Sequence, residues 1–288
     1  MQIAYLNGEY LPLEQAQISP MDRGFLFSDG IYEVIPVYGQ KLFRLGQHLD
    51  RLHNSLKEIR LDQHINIDFT KLLETLIAKN PPHAEQGAYL QITRGPNMTR
   101  DHVFPKDIQP TVFAYCQAMH PHRVEQLAKG VHTITLPDLR WQRCDIKSVA
   151  LLANVLQRNT AAQHQAAEAI LYNQNQEVLE GTTSNVFIVK DKTIITTPLS
   201  QYILGGITRD LVIELAKQNQ IEVTEKTISL SELYGADEVW ITSSTKEIVP
   251  VLQIDDKTIG NAQPGEIWQQ MITAYQAYKQ KLIAGSII

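Results

Sequence analysis

The 288-residue sequence predicts an α/β protein of the α+β-like kind, in two domains with mixed or antiparallel sheets. Three observations lead there. At roughly 150 residues per domain the length suits about two domains, each able to bury its own core. Strand-like and helix-like segments alternate irregularly, without the steady βαβ rhythm of a doubly wound sheet. A polar stretch holding His120-Pro121-His122 and closing on Lys129-Gly130 separates strand-like runs. The expected division is a first domain over 1–120, a linker over 121–130 and a second domain over 131–288.

The first domain opens on a β-hairpin over 3–18, turned at Asn7-Gly8. A strand pair follows at 31–37 and 41–45, joined at Gly39-Gln40. Leu45, Leu49, Leu52, Leu56 and Ile59 recur at helical spacing and predict a helix over 46–60. Phe69, Leu72, Leu73, Leu76 and Ile77 predict a second helix, stopped by Asn80-Pro81-Pro82. Strands at 87–94 and 110–116 complete the set.

In the second domain a strand at 131–136 precedes a helix over about 148–165. Strands follow at 167–173, 177–180, 184–189 and 193–197, with turns at 173–175 and 190–192. A helix begins after Gly205-Gly206 and runs to about 219. Ser229-Leu230-Ser231-Glu232 has capping-box spacing. A strand at 238–242 and a helix at 265–283 close the chain.

Composition excludes several classes. With 43% hydrophobic and 20% charged residues, the chain is neither disordered nor low-complexity. A net charge of -5 argues against broad nucleic-acid or anionic-membrane binding, both of which need a basic field. Cys116 and Cys144 are too few for a disulfide framework, and with no visible secretory segment the expected address is the cytoplasm. No run approaches the ~18 apolar residues of a membrane span. The nine His lack the spacing of a metal site, so no metal is expected. Nucleotide-binding Gly-rich loops and a Gly-x-Ser-x-Gly elbow are also missing.

Four segments carry candidate chemistry. Lys147, in Asp145-Ile146-Lys147-Ser148-Val149, is expected at the mouth of a largely apolar helix. Apolar surroundings favour the neutral amine that Schiff-base chemistry needs, although a lysine there can equally snorkel to solvent. Gly205-Gly206-Ile207-Thr208 opens a helix, whose free amides suit a phosphate or simply begin a helix. Glu180-Gly181-Thr182-Thr183-Ser184-Asn185 and Thr242-Ser243-Ser244-Thr245 offer a carboxylate and hydroxyls, or ordinary polar loops. Together they supply what a pyridoxal 5′-phosphate site requires: an amine, a carboxylate for the pyridine nitrogen, and phosphate ligands.

The chain resembles the fold-type IV pyridoxal-phosphate aminotransferases, and within them the D-amino acid aminotransferases. The matching motifs run in order along nearly the whole sequence. They are Asp22-Arg23-Gly24, Asp29-Gly30-Ile31-Tyr32-Glu33-Val34, His48-Leu49-Asp50-Arg51-Leu52 and Thr93-Arg94-Gly95. Arg100-Asp101-His102-Val103-Phe104-Pro105 and Arg143-Cys144-Asp145-Ile146-Lys147-Ser148 follow, then Glu180–Phe187, Gly206–Asp210 and Thr242–Ile248. The resemblance implies a small α/β N-terminal domain and a larger C-terminal domain with a mixed, barrel-like sheet.

It also implies roles. Lys147 would be the Schiff-base lysine and proton carrier, and Glu180 the carboxylate on the pyridine nitrogen. Arg51, the amides of Ile207 and Thr208, and the Ser244 hydroxyl would hold the phosphate. Thr183, Ser184 and Ser243 would be hydroxyl positions near the cofactor. Tyr32, Arg100 and His102 match a trap for the substrate α-carboxylate, with Arg100 and His102 reaching the other subunit's site in a homodimer. Thr182 and Thr183 stand where serines are expected and Ser244 where a threonine is, so the hydroxyls persist. The implied activity moves the amino group of a D-amino acid, such as D-alanine, to a 2-oxo acid such as 2-oxoglutarate. A branched-chain L-aminotransferase or a 4-amino-4-deoxychorismate lyase of the same fold would share the lysine and glutamate but lack Arg100-x-His102. The pocket is expected between the domains.

Overall fold

A computed structural model describes residues 1–119 and 124–287. His120, His122 and the start of the expected linker lie outside the described residues. The chain divides into two compact units. One is Met1–Pro121 with Ile146–Ala150 and Leu282–Ile288; the other is His122–Asp145 with Leu151–Lys281.

The first unit begins with β1 (Ile3–Leu6) and β2 (Glu9–Pro12). Asn7 and Gly8 both take positive φ, 49° and 103°, which lets the two-residue turn follow the strand twist and closes the pair at Leu6↔Glu9. Next come α1 (Arg23–Phe27), β3 (Gly30–Tyr38) and β4 (Lys41–Leu42). Then follow α2 (Leu45–Glu58), α3 (Phe69–Ala78), β5 (Glu85–Thr93) and β6 (Thr111–Ala118). The strands form one antiparallel sheet in the order β2-β1-β6-β5-β3-β4.

Alternation on β3 turns Ile31 and Ile35 into a core shared with Leu52 and Leu56 of α2, Leu73 and Leu76 of α3, and Leu90 of β5. Asp68 caps α3 by accepting from the Lys71 amide at 3.0 Å. Asn80 ends it, donating to the Leu76 carbonyl at 2.8 Å and bonding both backbone groups of Ile3.

The second unit contains α4 (Val124–Leu127), β7 (Val131–Pro137), α5 (Leu152–Gln163), β8 (Glu168–Tyr172) and β9 (Glu177–Gly181). It continues with β10 (Asn185–Lys190), β11 (Thr193–Thr196), α6 (Ile207–Gln218), β12 (Val223–Glu225) and β13 (Ile228–Ser229). It ends with α7 (Leu230–Tyr234), β14 (Glu238–Ser243), β15 (Glu247–Ile254), β16 (Lys257–Thr258) and α8 (Glu266–Ile283), of which Leu282 and Ile283 count with the first unit. Its mixed sheet runs β12-β11-β10-β14-β15-β7-β8-β9-β13, with β16 on β15. The sheet curls into a half-barrel, so that β9 and β10 meet although four strands separate them in that order. A small antiparallel sheet followed by a larger mixed, curled one is the arrangement that the resemblance implies.

Local readings change in several places. The helix expected from 148 begins only at Leu152, because Ser148 and Val149 extend along β3: Ser148 bridges Ile31, and the Val149 amide donates to the Gly30 carbonyl at 3.0 Å. Lys147 therefore sits on an extended segment, not at a helix mouth. β15, like α1, α4, β12, β13 and β16, has no expected counterpart, and Pro250 sits inside it. It is tolerated because pairing with β7 starts only at Val251.

Candidate active site

In the first unit, β3 positions the lysine. The Tyr32 amide donates to the Lys147 carbonyl at 2.9 Å, and the Lys147 amide donates to Ser55 Oγ at 3.3 Å. Lys147 Nζ lies 4.4 Å from the centroid of the Tyr32 ring, which itself stacks on Tyr89 at 5.7 Å. The half-buried amine is thus presented against an aromatic face by a backbone fixed at both ends.

One face of α2 carries His48, Arg51 and Ser55, by the three- and four-residue spacing of a helix. Arg51 donates from Nε to Glu33 Oε1 at 2.7 Å and from Nη2 to Glu33 Oε2 at 2.8 Å. His48 Nδ1 lies 2.8 Å from the same Oε2. Burial pushes Glu33 upward, but the Arg51 charge and hydrogen bonds outweigh it and hold the carboxyl well below the usual range. Burial lowers His48, which favours the neutral ring. The fork of Arg51 that the sequence suggests for a phosphate is engaged here by Glu33.

Arg100 and His102 stand on an exposed loop against the Phe27 ring of α1. The Arg100 guanidinium carbon lies 4.8 Å from its centroid and the His102 ring 5.1 Å.

In the second unit, Glu180 is buried at the end of β9. Arg140 donates from Nη1 to Glu180 Oε1, while its Nε and Nη2 each donate to Asp138 at 2.9 Å. Glu180 Oε2 accepts from the Leu204 amide at 3.1 Å and from Asn185 Nδ2 at 3.2 Å. Burial pushes this carboxyl up to about 7, against the pull of Arg140.

The Thr182–Ser184 turn is held by Glu168, which is buried at the start of β8. Thr182 Oγ1 donates to Glu168, Thr183 Oγ1 donates to it at 2.6 Å and Ser184 Oγ at 3.3 Å. These three hydroxyls serve a carboxylate of the chain itself.

α6 starts at Gly206 without a side-chain cap, so the first-turn amides, including Ile207 and Thr208, have no acceptor within the helix. Asn185 joins this start to Glu180, donating from Nδ2 to the Leu204 carbonyl at 2.8 Å as well. Asn185 also pairs across the sheet with Thr242, which brings the end of β14 at Ser243, with Ser244 just beyond it, to the same edge. Thr242 Oγ1 is buried without a hydrogen-bond partner, and Ser243 Oγ accepts from the Lys246 amide at 3.2 Å.

A buried carboxyl, an uncapped helix start and neighbouring hydroxyls fit a planar cationic ring with a phosphate tail. No group of three metal-ligating side chains occurs among the described residues.

Glu33, His48, Asp138, Arg140, Glu168 and Asn185 were not singled out from the sequence as site residues. Glu33, His48 and Asn185 lie inside motifs quoted for the resemblance. Asp138 and Arg140 leave only a weak trace, two opposite charges just after an apolar strand.

The family model described as Amino-transferase class IV matches residues 30–254. The chain belongs to this family. It is 38% identical over 282 residues to the D-alanine aminotransferase of Staphylococcus epidermidis, covering 97% of this chain and 99% of that one. It is 40% identical to the D-alanine aminotransferase of Bacillus licheniformis over 271 residues, 94% of each chain. Among solved structures, the branched-chain amino acid aminotransferase of Escherichia coli superposes with a TM-score of 0.86 at 26% identity, over 96% of this chain and 93% of that one. The holo-form enzyme of Thermobaculum terrenum, also a branched-chain aminotransferase, gives 0.84 at 25%, over 98% and 94%.

Proposed function

We propose that this class IV aminotransferase transfers the amino group of a D-amino acid, with D-alanine as the type, to a 2-oxo acid such as 2-oxoglutarate. The observation that carries the reading is the Arg100 and His102 pair, held side by side on Phe27, in a chain that aligns almost end to end with D-alanine aminotransferases. Bound pyridoxal 5′-phosphate supplies an aldehyde that condenses with amines and a ring that withdraws electrons from the substrate α-carbon.

The chain's own groups do the rest. Lys147 Nζ would hold the cofactor's aldehyde carbon and would carry the substrate α-proton. Glu180, as the ionised carboxylate, would hold a proton at the pyridine nitrogen. The amides of Ile207 and Thr208, the Ser244 hydroxyl and Arg51 hold the phosphate, with Glu33 fixing the plane of the Arg51 guanidinium. Thr183, Ser184 and Ser243 shape the cofactor's surroundings, the first two through Glu168.

Tyr32, Arg100 and His102 take the α-carboxylate and so choose which face of the α-carbon meets the lysine. In this reading Arg100 and His102 act in the partner's site of a homodimer. α5 supports that assembly, since Leu152, Val155 and Leu156 are all more than half exposed and share one helix face. The two free cysteines suit a reducing cytoplasm. Among the described residues, no helix is long and apolar enough to cross a membrane.

A panel of D- and L-amino acids with 2-oxoglutarate tests the reading. Turnover of D-alanine and D-glutamate is expected. Turnover of L-leucine without D-alanine would favour the branched-chain alternative, which the structural neighbours keep in view.

A further inference from the structure

The loop bearing Arg100 and His102 is exposed from Met98 to Phe104 and lies outside regular secondary structure. A trap for a small anion needs its donors held to within a fraction of an ångström. The question is what holds an exposed loop that firmly.

The answer lies beneath it. Arg23, at the start of α1, is only 3% exposed and cannot meet substrate itself. Its guanidinium donates from Nη1 to the Asp101 carbonyl at 2.5 Å and the Val103 carbonyl at 3.4 Å, and from Nη2 to the His102 carbonyl at 3.2 Å. Three consecutive carbonyls of the loop thus converge on one buried side chain. Nε points the other way, to Asp29 Oδ2 at 2.8 Å.

Asp29 is in turn fixed by Arg94, from Nε at 2.8 Å and Nη2 at 3.0 Å. Arg94 lies 3.6 Å from the Phe104 ring centroid, clamping the loop's far end. The Phe27 ring that faces Arg100 and His102 also faces Arg23, at 4.9 Å. Two arginines share one aspartate, and further donors of both go to the main chain of this loop or of residues 59–60.

We propose that Arg23 is a positioning residue for substrate recognition, setting the path of residues 101–103 and through it the aim of Arg100 and His102. The proposal rests on the reading that those two side chains take the substrate carboxylate. Lysine is not an equivalent: a single ammonium cannot satisfy Asp29 on one side and three carbonyls on the other.

The test is steady-state kinetics of the holoenzyme with D-alanine and 2-oxoglutarate, for Arg23→Lys, Arg100→Leu, their double variant and Phe104→Leu. Loss of hydrogen bonds to a charged group predicts a rise in KM for D-alanine of about tenfold in Arg23→Lys, with kcat within about twofold of wild type. Arg100→Leu is expected to raise KM at least as much, and the double variant by less than the product of the two single effects, because Arg23 acts through Arg100 as well as through His102. Cofactor absorbance should match wild type in each single variant, while the thermal midpoint of Arg23→Lys should fall with the lost hydrogen bonds.

An unchanged KM in Arg23→Lys beside a raised one in Arg100→Leu overturns the proposal and leaves the reading of the trap standing. Fully additive effects in the double variant also overturn it, since Arg23 then acts independently. An unchanged KM in Arg100→Leu overturns the reading, and the proposal with it. Should Arg23→Lys fail to fold, Phe104→Leu decides: a raised KM at constant kcat supports the anchored loop, and an unchanged KM refutes it.

Discussion

Arg51 and Glu33 meet fork to fork, Nε to Oε1 at 2.7 Å and Nη2 to Oε2 at 2.8 Å, with Glu33 fully buried. Removing one partner of such a pair strands the other's charge, which costs about 3–5 kcal/mol. Glu33→Gln should therefore lower unfolding stability by about that amount in urea titrations. The folded carboxyl is held below its unfolded value, so its contribution is present above the ordinary carboxylate range and lost as pH falls beneath it. Wild type should lose stability down that acid window, and the variant should lose less. Equal urea midpoints for the two proteins would show that the pair contributes nothing net.

Glu180 gives the opposite slope. Burial raises its folded value from 4.5 to about 7, so in this window the folded chain keeps a proton that the unfolded chain has released. Stability of the cofactor-free protein should fall as pH rises through the window, by on the order of 3 kcal/mol. Calorimetry of the cofactor-free protein between pH 4.5 and 8 measures this. Glu180→Gln should flatten the curve; a slope that survives the substitution would assign it to another group.

Lys147→Ala should lower turnover by about 10⁴-fold or more while leaving circular dichroism and the thermal midpoint near wild type, because the backbone of residue 147, not its side chain, pairs with β3. Activity retained without added amines would remove Lys147 from its proposed role.

Gly206 precedes α6 at φ -74°, so an added methyl brings no backbone strain. It would instead collide with Asn185, the residue that joins Glu180 to the helix start. Gly206→Ala should destabilise the fold by about 1–3 kcal/mol. It should also weaken cofactor retention, read by dialysis and reconstitution. Unaltered retention would show that the Asn185 link does not shape the site.

Most elements were legible because their signals are local. The Asn7-Gly8 turn, the apolar spacing of α2 and α3 and the capping box at Ser229 each depend on residues within a few positions of one another. The start of α5 was misjudged because Ser148 and Val149 follow a strand more than a hundred positions earlier, which no local pattern reports. The same holds at the site. Lys147, Glu180 and Arg51 are marked by motifs, whereas Arg140 and Glu168 matter through partners 40 and 14–16 residues away. A buried ion pair across such separations has no signature in composition or periodicity.

The placement of Ile146–Ala150 has a consequence for biosynthesis. The first unit is not a continuous stretch of the gene: its sheet borrows a short thread made after the intervening twenty-odd residues of the second unit have emerged, and its final piece begins at Leu282. A nascent chain arrested at residue 119 would lack both the lysine and the thread that seats it on β3. The unit cannot reach its finished form during early translation, and a gene cut at the polar stretch would separate Tyr32 and Arg51 from Lys147. Catalytic competence is therefore deferred until nearly the whole polypeptide has been made.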